Sequence, residues 1–180
     1  MKKRGLVQIY CGDGKGKTTA AAGAAVRAAG RGYRVLVARF LKTDDSGEVN
    51  GLAHVPGITV LPCGRNFGFS WNMTQAQREA AALYYDQCFQ RAWNKALGQD
   101  GEEPYDMLVL DEVIGACNLG FVDQAGLIKA LKERPAALEV ILTGREPSEA
   151  LQGQADYITE MVMRRHPYER GIGAREGIEY

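Results

Sequence analysis

Long apolar runs are missing from this chain of 180 residues. None approaches the roughly 20 residues a helix needs to cross a bilayer, so no membrane span is expected. The basic start Met1-Lys2-Lys3-Arg4 is followed only by the apolar run Leu6 to Tyr10. A secretory h-region needs about 7 to 15 apolar residues, so no signal peptide is expected either. An excess of charge is missing too: 22 Lys+Arg face 22 Asp+Glu. Overall charge therefore gives no reason to expect nucleic acid as a partner, while a local anion site stays open. The two histidines, His54 and His166, lie in loop-like segments, and the four cysteines (Cys11, Cys63, Cys88 and Cys117) contain no C-x-x-C pair. That argues against a thiol–imidazole nucleophile or a structural zinc site and for reduced thiols in the cytoplasm. Repeats, linkers and low-complexity segments are absent as well, so the expectation is a single domain over residues 1–180.

What is present alternates regularly. Leu6 to Tyr10 reads as a strand, followed at once by a glycine-rich turn and an Ala-rich helix from Lys17 to Ala29 that stops at Gly30. Further strands are expected at Val35 to Phe40, Ile58 to Leu61, Met107 to Leu110, Leu138 to Thr143 and, less regularly, Tyr157 to Arg164. Between them lie a long helix capped by Thr74 with Gln77 at the capping-box position, a helix from Asp123 to Glu133 and a short one from Ser148 to Gln154. Leu41 to Val55 reads as a polar, glycine-containing functional loop, and Cys63 to Asn72 as an irregular segment rich in glycine and aromatics. Apolar strands alternating with helices predict an α/β fold: a mostly parallel sheet with helices on both faces. Right-handed crossovers bring the strand C-terminal ends to one edge, where such sheets bind ligands. Gly12, Asp111 and Gly144 all fall on that edge.

Three segments there carry chemistry. Gly12-Asp13-Gly14-Lys15-Gly16-Lys17-Thr18, between strand and helix, is a phosphate loop in which backbone N–H groups and a helix N-terminus face a triphosphate. Lys17 would reach the outer phosphates, and the Thr18 hydroxyl would ligate Mg²⁺. The G-x-x-x-x-G-K-[ST] spacing would require glycine at Cys11, so starting from Gly12 the loop is one residue short. Lys15 is either a second phosphate contact or a solvated turn residue. Met107 to Leu110 ending in Asp111-Glu112 looks like a Walker B strand, whose carboxylates hold Mg²⁺ or position a water. Strand alternation predicts that only one of the two points straight at the loop, and spacing alone leaves open which. Gly64-Arg65-Asn66-Phe67-Gly68-Phe69-Ser70-Trp71 is either a core-packing loop or an apolar wall for a flat ligand. Arg145, just after Leu142-Thr143-Gly144, is an anion contact by position. Arg27 on the first helix reads more as a solvated helix residue than as an anion contact.

Taken together, Gly12 to Thr19, Gly68-Phe69-Ser70-Trp71, Leu108 to Glu112, Leu142 to Arg145 and the ending Gly177-Ile178-Glu179-Tyr180 resemble the P-loop ATP:corrinoid adenosyltransferases. The resemblance runs from Arg4 onward and implies a P-loop NTPase, RecA-like fold. It implies transfer of the 5′-deoxyadenosyl group of ATP to the cobalt(I) of a reduced corrinoid, with triphosphate released, in cobalamin biosynthesis or salvage. In this family the nucleotide lies reversed in the loop, which would rationalise the short spacing. Gly12, Asp13, Gly14, Lys15, Gly16, Lys17, Thr18 and Thr19 would then bind ATP, joined by Arg27 and Arg145, with Mg²⁺ on Thr18 and Glu112. Phe69 and Trp71 would pack on the corrinoid and, with Lys17, carry catalysis. A reduced flavoprotein donor and a homodimer are also implied. Relatives with an N-terminal extension close the site with it; here loops, the tail or a neighbouring subunit would do so. The segment Val113-Ile114-Gly115 departs from the polar-aromatic pair expected after Glu112. The alternative is a P-loop kinase or hydrolysing NTPase, which leaves the aromatic loop unexplained. A guanine-nucleotide switch is disfavoured because Asn94-Lys95-Ala96-Leu97 lacks the Asp of N-K-x-D.

Overall fold

The computed structural model describes residues 4–65, 67–68 and 72–178. Six strands, β1 Val7–Cys11, β2 Val35–Arg39, β3 Ile58–Val60, β4 Met107–Asp111, β5 Glu139–Thr143 and β6 Tyr157–Glu160, form one sheet in the order β3-β2-β4-β5-β1-β6. Every pairing is parallel, so the expected mostly parallel sheet is wholly so. β5 lies between the phosphate-loop strand β1 and the acidic strand β4.

Period-two alternation divides the strands between two cores. Val35, Val37, Met107, Val109 and Ile141 pack with Ala21 and Ala25 of helix α1 (Lys17–Ala29) and Leu52 of α2 (Gly47–Ala53). The opposite set (Val7, Ile9, Leu36, Leu108, Leu110, Val140 and Leu142) packs against α3 (Gln75–Ala96), with α4 (Val113–Asn118), α5 (Gln124–Glu133) and α6 (Glu149–Gln152) on the same core. Burying each such Leu or Val contributes about 1.5–3 kcal/mol, which is why both faces must be covered. On α3 the buried positions Ala81, Tyr85, Phe89, Ala92 and Ala96 follow the helical period. Its start is the predicted capping box: the Thr74 hydroxyl accepts from the Gln77 N–H, and Gln77 Oε1 accepts from the Thr74 N–H at 2.8 Å.

Two expectations change and one element is new. The segment expected as loop from Leu41 to Val55 contains α2, a seven-residue helix with two glycines that docks through buried Leu52. α4 begins directly after the Walker B strand and is set by burial of Val113, Ile114 and Ala116 rather than by any cap. The last strand ends at Glu160, short of Arg164, and all four of its residues are exposed, unlike the other strands. His166 precedes a 3₁₀ turn, Pro167–Arg170, within the tail.

Candidate functional site

Three strand ends build the floor of the cleft. β1 delivers the phosphate loop, β4 delivers Asp111, and β5 delivers Thr143. Asp111 shares its side of β4 with Met107 and Val109, so it points toward α1. Its carboxylate accepts from the Thr18 hydroxyl at 3.0 Å and from the Thr143 hydroxyl at 2.6 Å. Thr143 in turn accepts from the Glu112 N–H at 2.8 Å. Asp111 is 2% exposed and Thr143 1%, so these polar groups depend on one another rather than on water.

Glu112 reaches the same cleft, contrary to the alternation argument. It is no longer in the strand: at φ 62 it occupies the left-handed region, turning the chain into α4. Its Oε2 is buried without a hydrogen-bond partner among the described residues. Burial, then the neighbouring Asp111 charge, pushes its carboxyl above the ordinary carboxylate value.

The phosphate loop is packed more tightly than a freely exposed turn. The Gly14 N–H donates to the Met161 carbonyl at 2.7 Å, and Asp13 Oδ1 accepts from the Met163 N–H at 3.0 Å. A Cβ at Gly12 would stand 2.4 Å from the Met161 oxygen, and one at Gly14 2.7 Å from it. Glycine is therefore required here by the passing chain beyond β6, in addition to any close approach by phosphate. Cys11, in the place of a Walker glycine, is the last residue of β1 and accepts from the Met161 N–H. Lys17 Nζ folds back onto the Gly12 and Gly14 carbonyls, both at 2.8 Å. Burial lowers its pKa, while the Glu112 charge acts in the opposite direction.

Asp13 to Thr19 line a cleft of ≈ 520 Å³ bordered by Glu112 and Arg145, with buried Asp111 behind Thr18. Arg145 is held by its own backbone: Asn118 Nδ2 donates to the carbonyls of Arg145 and Glu146 at 3.0 and 3.2 Å. Lys15 donates to the Ile178 carbonyl at 2.9 Å, drawing the tail over the loop, so Gly177 and Ile178 form part of the rim. Arg27 is not brought to the cleft. It sits in the last turn of α1, about 15 Å along the axis from Lys17, and is exposed. Phe69 and Trp71 lie outside the described residues. Their neighbour Phe67 packs against Tyr84 and Tyr85 with centroids 5.6 and 5.8 Å away, so this part of the aromatic loop serves the core.

Sequence reasoning missed Lys42, Glu48 and His166, which also line the cleft. The only signal for the first two was a polar stretch leaving β2 at the ligand-binding edge. His166 is placed by the tail's return.

A family model described as ATP:corrinoid adenosyltransferase BtuR/CobO/CobP matches residues 3–180. The chain belongs to this family. The corrinoid adenosyltransferase of Escherichia coli (strain K12) is 33% identical over 180 residues, covering 99% of this chain and 87% of that protein. Corrinoid adenosyltransferase CobA of Salmonella typhimurium is 33% identical over 181 residues, covering 99% and 87%. The corrinoid adenosyltransferase of Sinorhizobium sp is 32% identical over 180 residues, covering 99% and 81%. In this member of the adenosyltransferase family the phosphate loop, Glu112 after the acidic strand and Arg145 surround one cleft. Among the described residues no helix is long and apolar enough to cross a membrane.

Proposed function

We propose that this chain, acting as a single domain, transfers the 5′-deoxyadenosyl group of ATP to the cobalt(I) of a reduced corrinoid in cobalamin biosynthesis or salvage. The observation that carries this reading is the family match over residues 3–180. The cobalt(I) electron pair attacks the ribose 5′-carbon, the bond from that carbon to the triphosphate oxygen breaks, and triphosphate leaves with its electrons. The protein's tasks are to align the nucleophile and to stabilise charge on the leaving group. Lys17 and Arg145 supply positive charge along the cleft, and the loop amides not used by Met161 supply donors. Lys17 would leave its loop carbonyls for phosphate oxygens, which its flexible stem permits.

The oxygen donors also fit Mg²⁺. No group of three or more His, Cys, Asp or Glu that could hold a metal by itself occurs among the described residues. Mg²⁺ does not need one, since it binds through one or two carboxylates together with substrate phosphates. Thr18, Asp111 and Glu112 offer hard oxygens, and the unpartnered Glu112 Oε2 is a buried acceptor awaiting a cation. Bound there, Mg²⁺ would neutralise charge on the triphosphate.

Phe69 and Trp71 are proposed as the corrinoid wall, excluding water and a lower axial ligand from one cobalt face so that cobalt(II) accepts an electron from a reduced flavoprotein. A homodimer in the cytoplasm completes the reading. Exposed Tyr157 and Ile158 on edge strand β6 and four free cysteines support these two points. The test is to incubate the protein with MgATP and a chemically reduced corrinoid. Triphosphate and a light-sensitive cobalt–carbon chromophore are expected, whereas ADP or orthophosphate without that chromophore would mean phosphoryl transfer instead.

A further inference from the structure

Lys42 is the side chain at the centre of the acidic floor. Its Nζ lies 2.6 Å from Asp111 Oδ2 and donates to the Thr18 hydroxyl oxygen at 2.8 Å. One ammonium therefore touches two of the three residues whose oxygens the metal reading offers to a divalent cation, Thr18 and Asp111. Asp111 needs such a partner: a carboxylate 2% exposed is costly without a neighbouring positive charge, and the two threonine hydroxyls donate hydrogen bonds but no charge.

The backbone on both sides of Lys42 is pinned. The Phe40 N–H donates to the Asp111 carbonyl at 2.9 Å. Leu41 turns the chain in the left-handed region at φ 56. Buried Arg39 then holds the Thr43 carbonyl and the Ser46 hydroxyl at 2.9 and 3.1 Å. The Lys42 side chain leaves this pinned backbone on a flexible four-carbon stem, and Glu48 Oε1 already stands 3.8 Å from Nζ as an alternative partner on the cleft side.

We propose that Lys42 is a built-in counter-ion of the metal subsite, occupying the Thr18–Asp111 position until a metal–nucleotide complex displaces it toward Glu48 and the triphosphate. This inference rests on the metal–nucleotide reading of the same cleft. Ammonium and divalent cation need the same oxygen lone pairs and exclude each other. Free cation alone would have to expel a charge already paired with Asp111, and it binds weakly. Cation arriving with ATP brings phosphates that receive the displaced ammonium, so exchange becomes favourable. Lys42 is in this sense a positioning residue that makes metal binding depend on nucleotide.

The test is Mn²⁺ binding to metal-stripped protein, read by the electron paramagnetic resonance of the free ion, with and without ATP. Wild type should take up Mn²⁺ well only with ATP. Lys42→Met should bind Mn²⁺ without ATP roughly tenfold or more tightly than wild type, and Mn²⁺ alone should raise its melting temperature. Lys42→Arg, which keeps the charge, should behave like wild type. If Lys42→Met does not fold, Lys42→Gln gives the same reading with a polar side chain. Equal nucleotide-free affinities in wild type and a folded neutral variant, with normal uptake alongside ATP, overturn the Lys42 inference alone. Failure of every form to bind Mn²⁺ even with ATP overturns the metal reading of the cleft, and the inference with it.

Discussion

The two sides of the cleft are built on opposite principles. The floor is made of interior strand ends: Asp111, Thr143 and Thr18 are joined by short hydrogen bonds, and Asp111 and Thr143 are almost fully buried. The rim is made of the tail after β6, where His166, Gly177 and Ile178 line the cleft, and where Tyr168 is 76% exposed and Ile178 56%. A buried, mutually satisfied polar floor holds its geometry before any ligand arrives, which is what stabilising a leaving triphosphate requires. An exposed apolar rim is suited instead to contact with something large and apolar, and it follows its ligand rather than dictating to it. Met161 joins the two sides, since its carbonyl holds Gly14 and its N–H holds Cys11.

The largest effect that would sharpen this contrast is on chemistry at the floor. Lys17→Ala should lower the rate of triphosphate release by about 10²–10³-fold while leaving the melting temperature close to wild type, as expected for lost transition-state charge stabilisation. An unchanged rate would show that the floor does not carry the leaving group.

Next comes the junction between the sides. Gly12→Ala adds a Cβ that meets the Met161 backbone at 2.4 Å and holds an L-residue at φ 99. A loss of about 3 kcal/mol in urea unfolding is expected. Wild-type stability would mean that the loop and the 161–163 segment separate readily.

A smaller and more selective effect is expected for the corrinoid contact. Trp71→Ala should impair reaction from cobalt(II) with a flavoprotein reductant about tenfold more than reaction from prepared cobalt(I), the size of one lost aromatic contact. Equal losses in both assays would assign the aromatic loop another role.

The smallest is a pH effect at Glu112. Its carboxyl is raised above the ordinary 4.5 by burial and by Asp111. The folded state therefore favours the neutral form. The contribution of Glu112 to stability is fully present below the unfolded value and is lost as pH rises through the raised folded value. Urea midpoints measured upward from about pH 4.5 should fall less in Glu112→Gln than in wild type. Added Mg²⁺ and ATP should reverse the difference, because only the ionised carboxylate holds a cation. Parallel profiles would place the Glu112 carboxyl outside the cation site.

Much of this was legible from local pattern. Apolar runs located all six strands, and Thr74 with Gln77 announced α3, because these features depend on nearest neighbours and a fixed period. The phosphate loop and Asp111 were visible for the same reason, since a strand–turn–helix and a strand tip are local objects. α2 was not visible, because a short helix containing Gly47 and Gly51 has little intrinsic propensity and exists only by docking Leu52. Glu112 defied strand alternation because its left-handed φ is imposed by the join to α4. Lys42 lay in a polar stretch legible as a functional loop but with nothing to single out one residue, and His166 in a tail whose composition carries no chemical signature.

By itself the sequence determined the parallel α/β plan, the phosphate loop and the acidic strand tip, through periodicities and motifs that act over a few residues. Only the tertiary structure decided how the cleft is furnished. It set Lys42 between Thr18 and Asp111, brought Glu112 beside Thr143 at the same cleft, and required glycine at positions 12 and 14 by passing Met161 beside them. Each of those outcomes depends on residues tens to more than a hundred positions apart meeting at one sheet edge, and no local pattern encodes such a meeting.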